Sequence, residues 1–124
     1  MEDSKKITSF NQLQVWQSAQ EWAVLIYKIT KTFSKDELYG ITSQVRRSAT
    51  SVSANIAEGF GRRTNNDKLH FYTMAYGSVL ETQNFLYLSQ KLEYIDENQL
   101  RDLIDMGTSV QRLLNAFMRP LKNA

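Results

Sequence analysis

Apolar residues recur every three to four positions along most of the chain, the spacing that lines one face of an α-helix. In the first segment the stripe is Val15, Ala19, Trp22, Ile26, Ile29 and Phe33. In the second it is Leu38, Ile41, Val45, Ser48, Val52 and Asn55. In the last it is Leu100, Leu103, Gly107, Val110, Leu114 and Phe117, and Pro120 is expected to stop that helix. Three starts carry a capping box, in which a polar side chain and a Glu or Gln three residues on satisfy unpaired backbone N–H groups. They are Asn11 with Gln14, Ser34 with Glu37, and Asp96 with Gln99, stapled by Phe10–Val15, Phe33–Leu38 and Ile95–Leu100. Thr64 with Asp67 marks a fourth start without a staple. Stops fall at Ser34 to Asp36, at Gly59-Phe60-Gly61 and around Glu93. Connections this short force neighbouring helices to run antiparallel. The expectation is an all-α chain: a loose tail over residues 1–9, then an up-down-up-down four-helix bundle over 10–124.

The third segment breaks the pattern. Between Leu69 and Gln90 its only fixed charge is Glu81. On a helical wheel Leu69, Tyr76, Leu80 and Tyr87 fall on one side, and Phe71, Met74, Phe85 and Leu92 fall nearly opposite. A bundle helix needs one apolar stripe, and a helix apolar all round is buried all round. The pattern leaves open which side is core. We assign Leu69, Tyr76, Leu80 and Tyr87 to an interface between copies of the chain. In the second segment, the run from Ser48 to Ala54 is rich in small residues, which let another helix approach closely.

Composition removes several classes of function. With five glycines and one proline there is little material for the turns of a sandwich or barrel. The absence of cysteine excludes disulfides, thiolate metal sites and Cys nucleophiles. His70 is the only histidine, so neither a multi-His metal site nor a di-iron bundle can be built, and no cofactor is expected. The first residues have no apolar core of the signal-peptide kind, and Trp22 to Tyr27 is too short an apolar run to cross a bilayer. A cytoplasmic location is the expectation. A net charge of +2 permits a nucleic-acid partner without requiring one.

Asn55-Ile56-Ala57-Glu58-Gly59, followed by Arg62, resembles the 23S ribosomal RNA intervening-sequence protein family, also called four helix bundle proteins. The likeness runs over about residues 10 to 120. It takes in Val15-Trp16, Tyr27, Gln44, Arg46, Arg47, Ala75, Gly77-Ser78 and Glu81. Two positions depart from the family pattern: Ser34 stands where members often have proline, and Glu93 where many have glycine. The resemblance implies a bundle that assembles into rings, commonly pentamers. It also implies kinship with the accessory protein of diversity-generating retroelements, which works with a reverse transcriptase and RNA. No biochemical activity comes with the family name, whose ribosomal link is one of gene location.

Asn55, Glu58, Arg62, Ser78 and Glu81 could be read as catalytic, since paired carboxylates within reach of one substrate do acid–base work. The simpler reading is structural: ion pairs from Glu81 to Arg46 and Arg47 and from Glu58 to Lys68, with Asn55 and Ser78 tying backbone together. The charges are also polarised. One pole gathers Lys5, Lys6, Arg62, Arg63, Lys68, Arg119 and Lys122 against Glu2, Asp3, Glu58 and Asp67, whereas acidic residues prevail at the other. The expected function is therefore that of a non-enzymatic homo-oligomer, pentameric by resemblance, binding RNA or a nucleoprotein through its basic pole. A purely protein-binding scaffold is the alternative, and an enzyme with Glu58, Arg62 and Glu81 at subunit boundaries comes third.

Overall fold

The computed structural model describes residues 6–122, which form four long helices with no strand among them. They are α1 (Gln14–Thr30), α2 (Ile41–Phe60), α3 (Asn65–Lys91) and α4 (Glu97–Lys122). Each helix packs on its two neighbours in chain order, and α1 closes the circle against α4. The most extensive packing is that between α2 and α3. This is the expected four-helix bundle.

The predicted stripes form the core. Val15, Ala19, Trp22 and Ile26 of α1 are buried against Ile41, Val45, Val52 and Ile56 of α2 and Leu103, Val110 and Leu114 of α4. Trp22 is fully enclosed, and its indole N–H donates to the Leu103 carbonyl at 3.0 Å, which satisfies the one polar atom that its burial would strand. Gly107 is what lets α4 come this close: a Cβ there would lie 2.7 Å from the Trp22 ring and 2.8 Å from Gln83 Nε2.

Two of the four expected caps form as read. Thr64 Oγ1 accepts from the Asp67 N–H, and Asp96 and Gln99 exchange reciprocal side-chain bonds at 2.8 and 2.9 Å. The other two differ. At the first, Gln12 rather than Gln14 reaches back, accepting from the Ser9 N–H at 3.0 Å, and a short 3₁₀ turn Phe10–Gln12 precedes α1. Phe10 then packs edge-on against Trp16 instead of stapling Val15. At the second, Ser34 caps only a 3₁₀ turn, Lys35–Glu37, and α2 begins later, at Ile41. Leu38 is consequently exposed rather than part of the α2 stripe. Glu37 takes over the capping role, with Oε1 accepting from the Ile41 N–H at 3.3 Å. Its other oxygen accepts from Tyr94 Oη at 2.9 Å, so one carboxylate ties the α1–α2 connection to the α3–α4 turn.

That turn explains the Glu93 departure. Glu93 adopts φ 66°, the left-handed conformation that closes a helix. Its N–H donates to the Gln90 carbonyl and the Tyr94 N–H to Ser89, the paired bonds of a Schellman ending. The turn thus keeps the shape a glycine would favour, with a strained side chain in its place. At the far end, Pro120 does not stop α4, which continues to Lys122. So near the terminus a proline forfeits one hydrogen bond with hardly any helix left to break.

Candidate functional site

The α2–α3 turn is the most constrained corner of the bundle. A Cβ on Gly59 would come within 2.6 Å of the Tyr72 ring and 3.0 Å of Phe71 Cβ, so only glycine allows α3 to fold back this closely. The Arg62 guanidinium pairs with Glu58 at 2.6 Å and lies over the Phe71 ring at 4.5 Å. Both side chains of the pair are about half exposed, and such a pair contributes roughly 0–1 kcal/mol. Lys68 does not pair with Glu58. Its Nζ donates to the Phe60 carbonyl at 2.8 Å and reaches Gly59 at 3.5 Å, neutralising the negative end of α2.

The expected pairing of Glu81 with Arg46 and Arg47 does not form either. Arg46 turns toward α1, where its Nε donates to Thr30 Oγ1 at 2.8 Å and its guanidinium lies 4.6 Å from the centre of the Tyr27 ring. Arg47 and Glu81 both point to solvent. Asn55 and Ser78 meet through a residue the sequence did not single out. Asn55 Nδ2 donates to the Ser51 carbonyl and Oγ, and Ser78 Oγ donates to Ser51 Oγ at 3.0 Å. Further along the same seam Thr82 Oγ1 donates to Ser48 Oγ at 2.8 Å. The small-residue run on α2 was the signal for this seam, since only short side chains can bond across so close an approach.

Glu58 stands beside the start of α3, while Glu81 lies thirteen residues beyond Lys68, about 20 Å along the axis at 1.5 Å per residue. Within one chain the two carboxylates cannot act on one substrate. Among the described residues no three His, Asp or Glu side chains cluster as metal ligands. No helix among them is long and apolar enough to cross a membrane.

Two surfaces remain. The first is the pole where the tail, the α2–α3 turn and the end of α4 converge. Ile7, Phe60, Lys68 and Leu121 line one cleft there. Lys6, Arg62, Arg63, Arg119 and Lys122 are exposed; Lys5, with Glu2 and Asp3, lies outside the described residues. The second is the outer side of α3. Neither of its two sequence-defined sides is the core. The buried stripe runs between them, through Tyr72, Ala75, Val79, Thr82, Gln83, Leu86 and Ser89. Leu69 and Tyr76 pack against the core from one flank and Phe85 from the other, so the predicted interface set is split. Leu80 and Tyr87 stay exposed, as do Met74, Leu92 and the unpredicted Leu88. Gly77 sits in this outer surface with nothing within 4 Å of where its Cβ would be.

No curated protein matches the chain. Among solved structures it is similar to a protein of unknown function from the S23 ribosomal protein family of Bacteroides thetaiotaomicron. The two share 26% identity over 85% of this chain and 95% of that one, with a TM-score of 0.78. The tight Gly59 corner and the helices around it fall within the span, residues 11–116, that matches the model of the 23S rRNA-intervening sequence protein, and the chain belongs to that family.

Proposed function

We propose that this protein is a self-assembling adaptor, without catalytic activity of its own, that presents a basic pole to RNA. The observation that carries the reading is the outer face of α3. Met74, Gly77, Glu81, Asn84, Leu88 and, just past the helix end, Leu92 follow helical spacing along it, and the large apolar members are 43–45% exposed. An exposed glycine in mid-helix costs about 1 kcal/mol relative to alanine, and none of the described residues uses the space it leaves. A helix from another copy would use both the apolar stripe and the notch. Ring closure would set several basic poles on one side; five is the number that the family resemblance implies. One subunit offers few phosphate-binding groups, and a ring multiplies them on a single strand.

Two of the basic-pole cations, Arg62 and Lys68, are already engaged within the chain, which favours a protein-binding scaffold as the second reading. Arg63 and Arg119 are two of the exposed cations that remain, with Lys6 and Lys122. Light scattering is expected to report an oligomer for the parent and a helical monomer for Met74→Glu with Leu88→Glu. In the assembled protein, Arg63→Glu with Arg119→Glu should weaken binding to a mixed RNA pool and flatten its salt dependence. The log–log slope changes by roughly 0.7 for each phosphate of a single strand that is no longer neutralised. A monomeric parent sinks the assembly. Equal RNA binding by parent and charge variant, or none by either at low salt, leaves the scaffold reading in its place.

A further inference from the structure

The basic pole is not merely charged; it is open. All four helices and the tail end around a cleft of about 440 Å³, within the size range of small-molecule sites. Phe60, at the last position of α2, and Phe117 of α4 form its aromatic walls, Tyr72 of α3 contributes to its floor, and Ile7 of the tail covers one side. The Tyr72 and Phe117 rings lie 4.8 Å apart at a tilt of 55°. Among the described residues Lys68 is the one charged side chain in the lining, held at 5.6 Å over the Phe60 ring. Lys6, Arg119 and Lys122 follow the lining residues in the chain by one position or precede them by one, and all three are exposed.

We propose that this cleft takes an unstacked nucleobase, so that the pole prefers single-stranded RNA to duplex. The inference rests on the RNA reading above. An aromatic-lined apolar cleft with exposed cations next to its lining residues in the chain matches a flat ring tethered to a phosphate, the combination by which single strands are bound without sequence readout. An aliphatic ligand would have no use for the rim, and a fully ionic one none for the walls. A base in a duplex is stacked and paired and cannot enter. Because Lys68 is the only charged side chain among the described lining residues, the cleft holds a base by its faces, and purines should bind more tightly than pyrimidines.

Stacking of this kind is worth on the order of five- to a hundredfold in affinity per base. Ala116 lines the cleft yet is exposed, so Ala116→Trp fills it while leaving every cation in place. Fluorescence anisotropy at one low salt concentration would compare a short oligoadenylate with an RNA duplex of equal length. The parent should favour the single strand at least fivefold. Ala116→Trp should bring single-strand affinity down toward the duplex value and leave duplex binding unchanged. Ile7→Trp, at another lining position, provides the same test should Ala116→Trp lose helicity. A 2-aminopurine placed in the strand should change its emission with the parent and not with the filled variant. A parent that binds both forms equally, or a filled variant that keeps the preference, overturns the cleft while the RNA reading stands. A parent that binds neither form removes both.

Discussion

Toward the bundle interior α3 presents Tyr72, Ala75, Val79, Thr82, Gln83, Leu86 and Ser89; toward solvent it presents Met74, Gly77, Glu81, Leu88 and Leu92. The inner set is partly polar and the outer one partly apolar. What separates them is what they meet. Three of the inner polar side chains have partners: Thr82 with Ser48, Gln83 with the Ile104 carbonyl, Ser89 with the Phe85 carbonyl. The small inner residues let α2 approach closely. The outer leucines Leu88 and Leu92 keep 43–45% of their surface open to solvent. Burial in this helix therefore follows fit and hydrogen-bond satisfaction rather than hydrophobicity alone.

Glycine gives the sharpest way to break the contrast. Gly107→Val would drive a side chain into Trp22 and Gln83 and should destabilise the fold by about 3 kcal/mol, the upper end for an overpacked core. Urea unfolding followed by circular dichroism reads this directly, and a destabilisation under about 1 kcal/mol, the lower end of the same range, would mean that α4 can move away from Trp22.

The inner face should also respond to alkali. Burial raises the Tyr72 phenol from its ordinary value of 10 to about 12. In the unfolded chain this group loses its proton near pH 10, whereas the folded chain holds it until about pH 12. Stability contributed by Tyr72 is thus intact below pH 10 and is lost as pH rises toward 12, by about 2–3 kcal/mol. Tyr72→Phe should flatten that decline. If it leaves the alkaline limb of the stability curve unmoved, Tyr72 is not its source.

On the outer face glycine should behave oppositely. Gly77→Ala meets no atom within 4 Å, so it should raise stability by about 1 kcal/mol when measured in the monomeric Met74→Glu, Leu88→Glu background. If the parent assembles as proposed, the same methyl should occupy the notch and weaken association. Stability and association rising together would show that the notch lies outside the interface.

The smallest effect is expected where α3 ends. Glu93→Gly removes a side chain from φ 66°, and relief of about 1 kcal/mol, partly offset by the greater freedom of glycine in the unfolded chain, should leave a net gain of about 0.5 kcal/mol. A shift of the urea midpoint at unchanged slope is the expected record of it.

The core was legible because α1 and α4 each carry one stripe and one clear polar side. The start of α2 was not. Ser34 and Glu37 have capping-box spacing, but the chain uses them separately, one for a 3₁₀ turn and the other for a helix four residues on. The ion pairs failed for a related reason. Spacing placed Arg46 level with α3, and only packing shows that it turns to Tyr27 and Thr30 on α1. The Ser51 and Ser48 bridges were half visible, since a small-residue run announces a close approach without telling which hydroxyls will meet. Local spacing predicts what one helix does by itself; a choice between two neighbours is made by side-chain length and direction.

An even number of antiparallel helices has a practical corollary. Ile7 and Leu121 line the same cleft, so the two ends of the described chain emerge together on the basic pole. An affinity tag or fluorescent protein fused at either end would sit over the surface proposed to bind RNA, and in the proposed ring every copy would crowd the same rim. A reporter inserted instead at Tyr39, 92% exposed in the α1–α2 connection at the opposite pole, would leave that surface clear. Joining the neighbouring ends by a short linker and reopening the chain at Tyr39 would give a circular permutant with the same helix neighbours and a free basic pole.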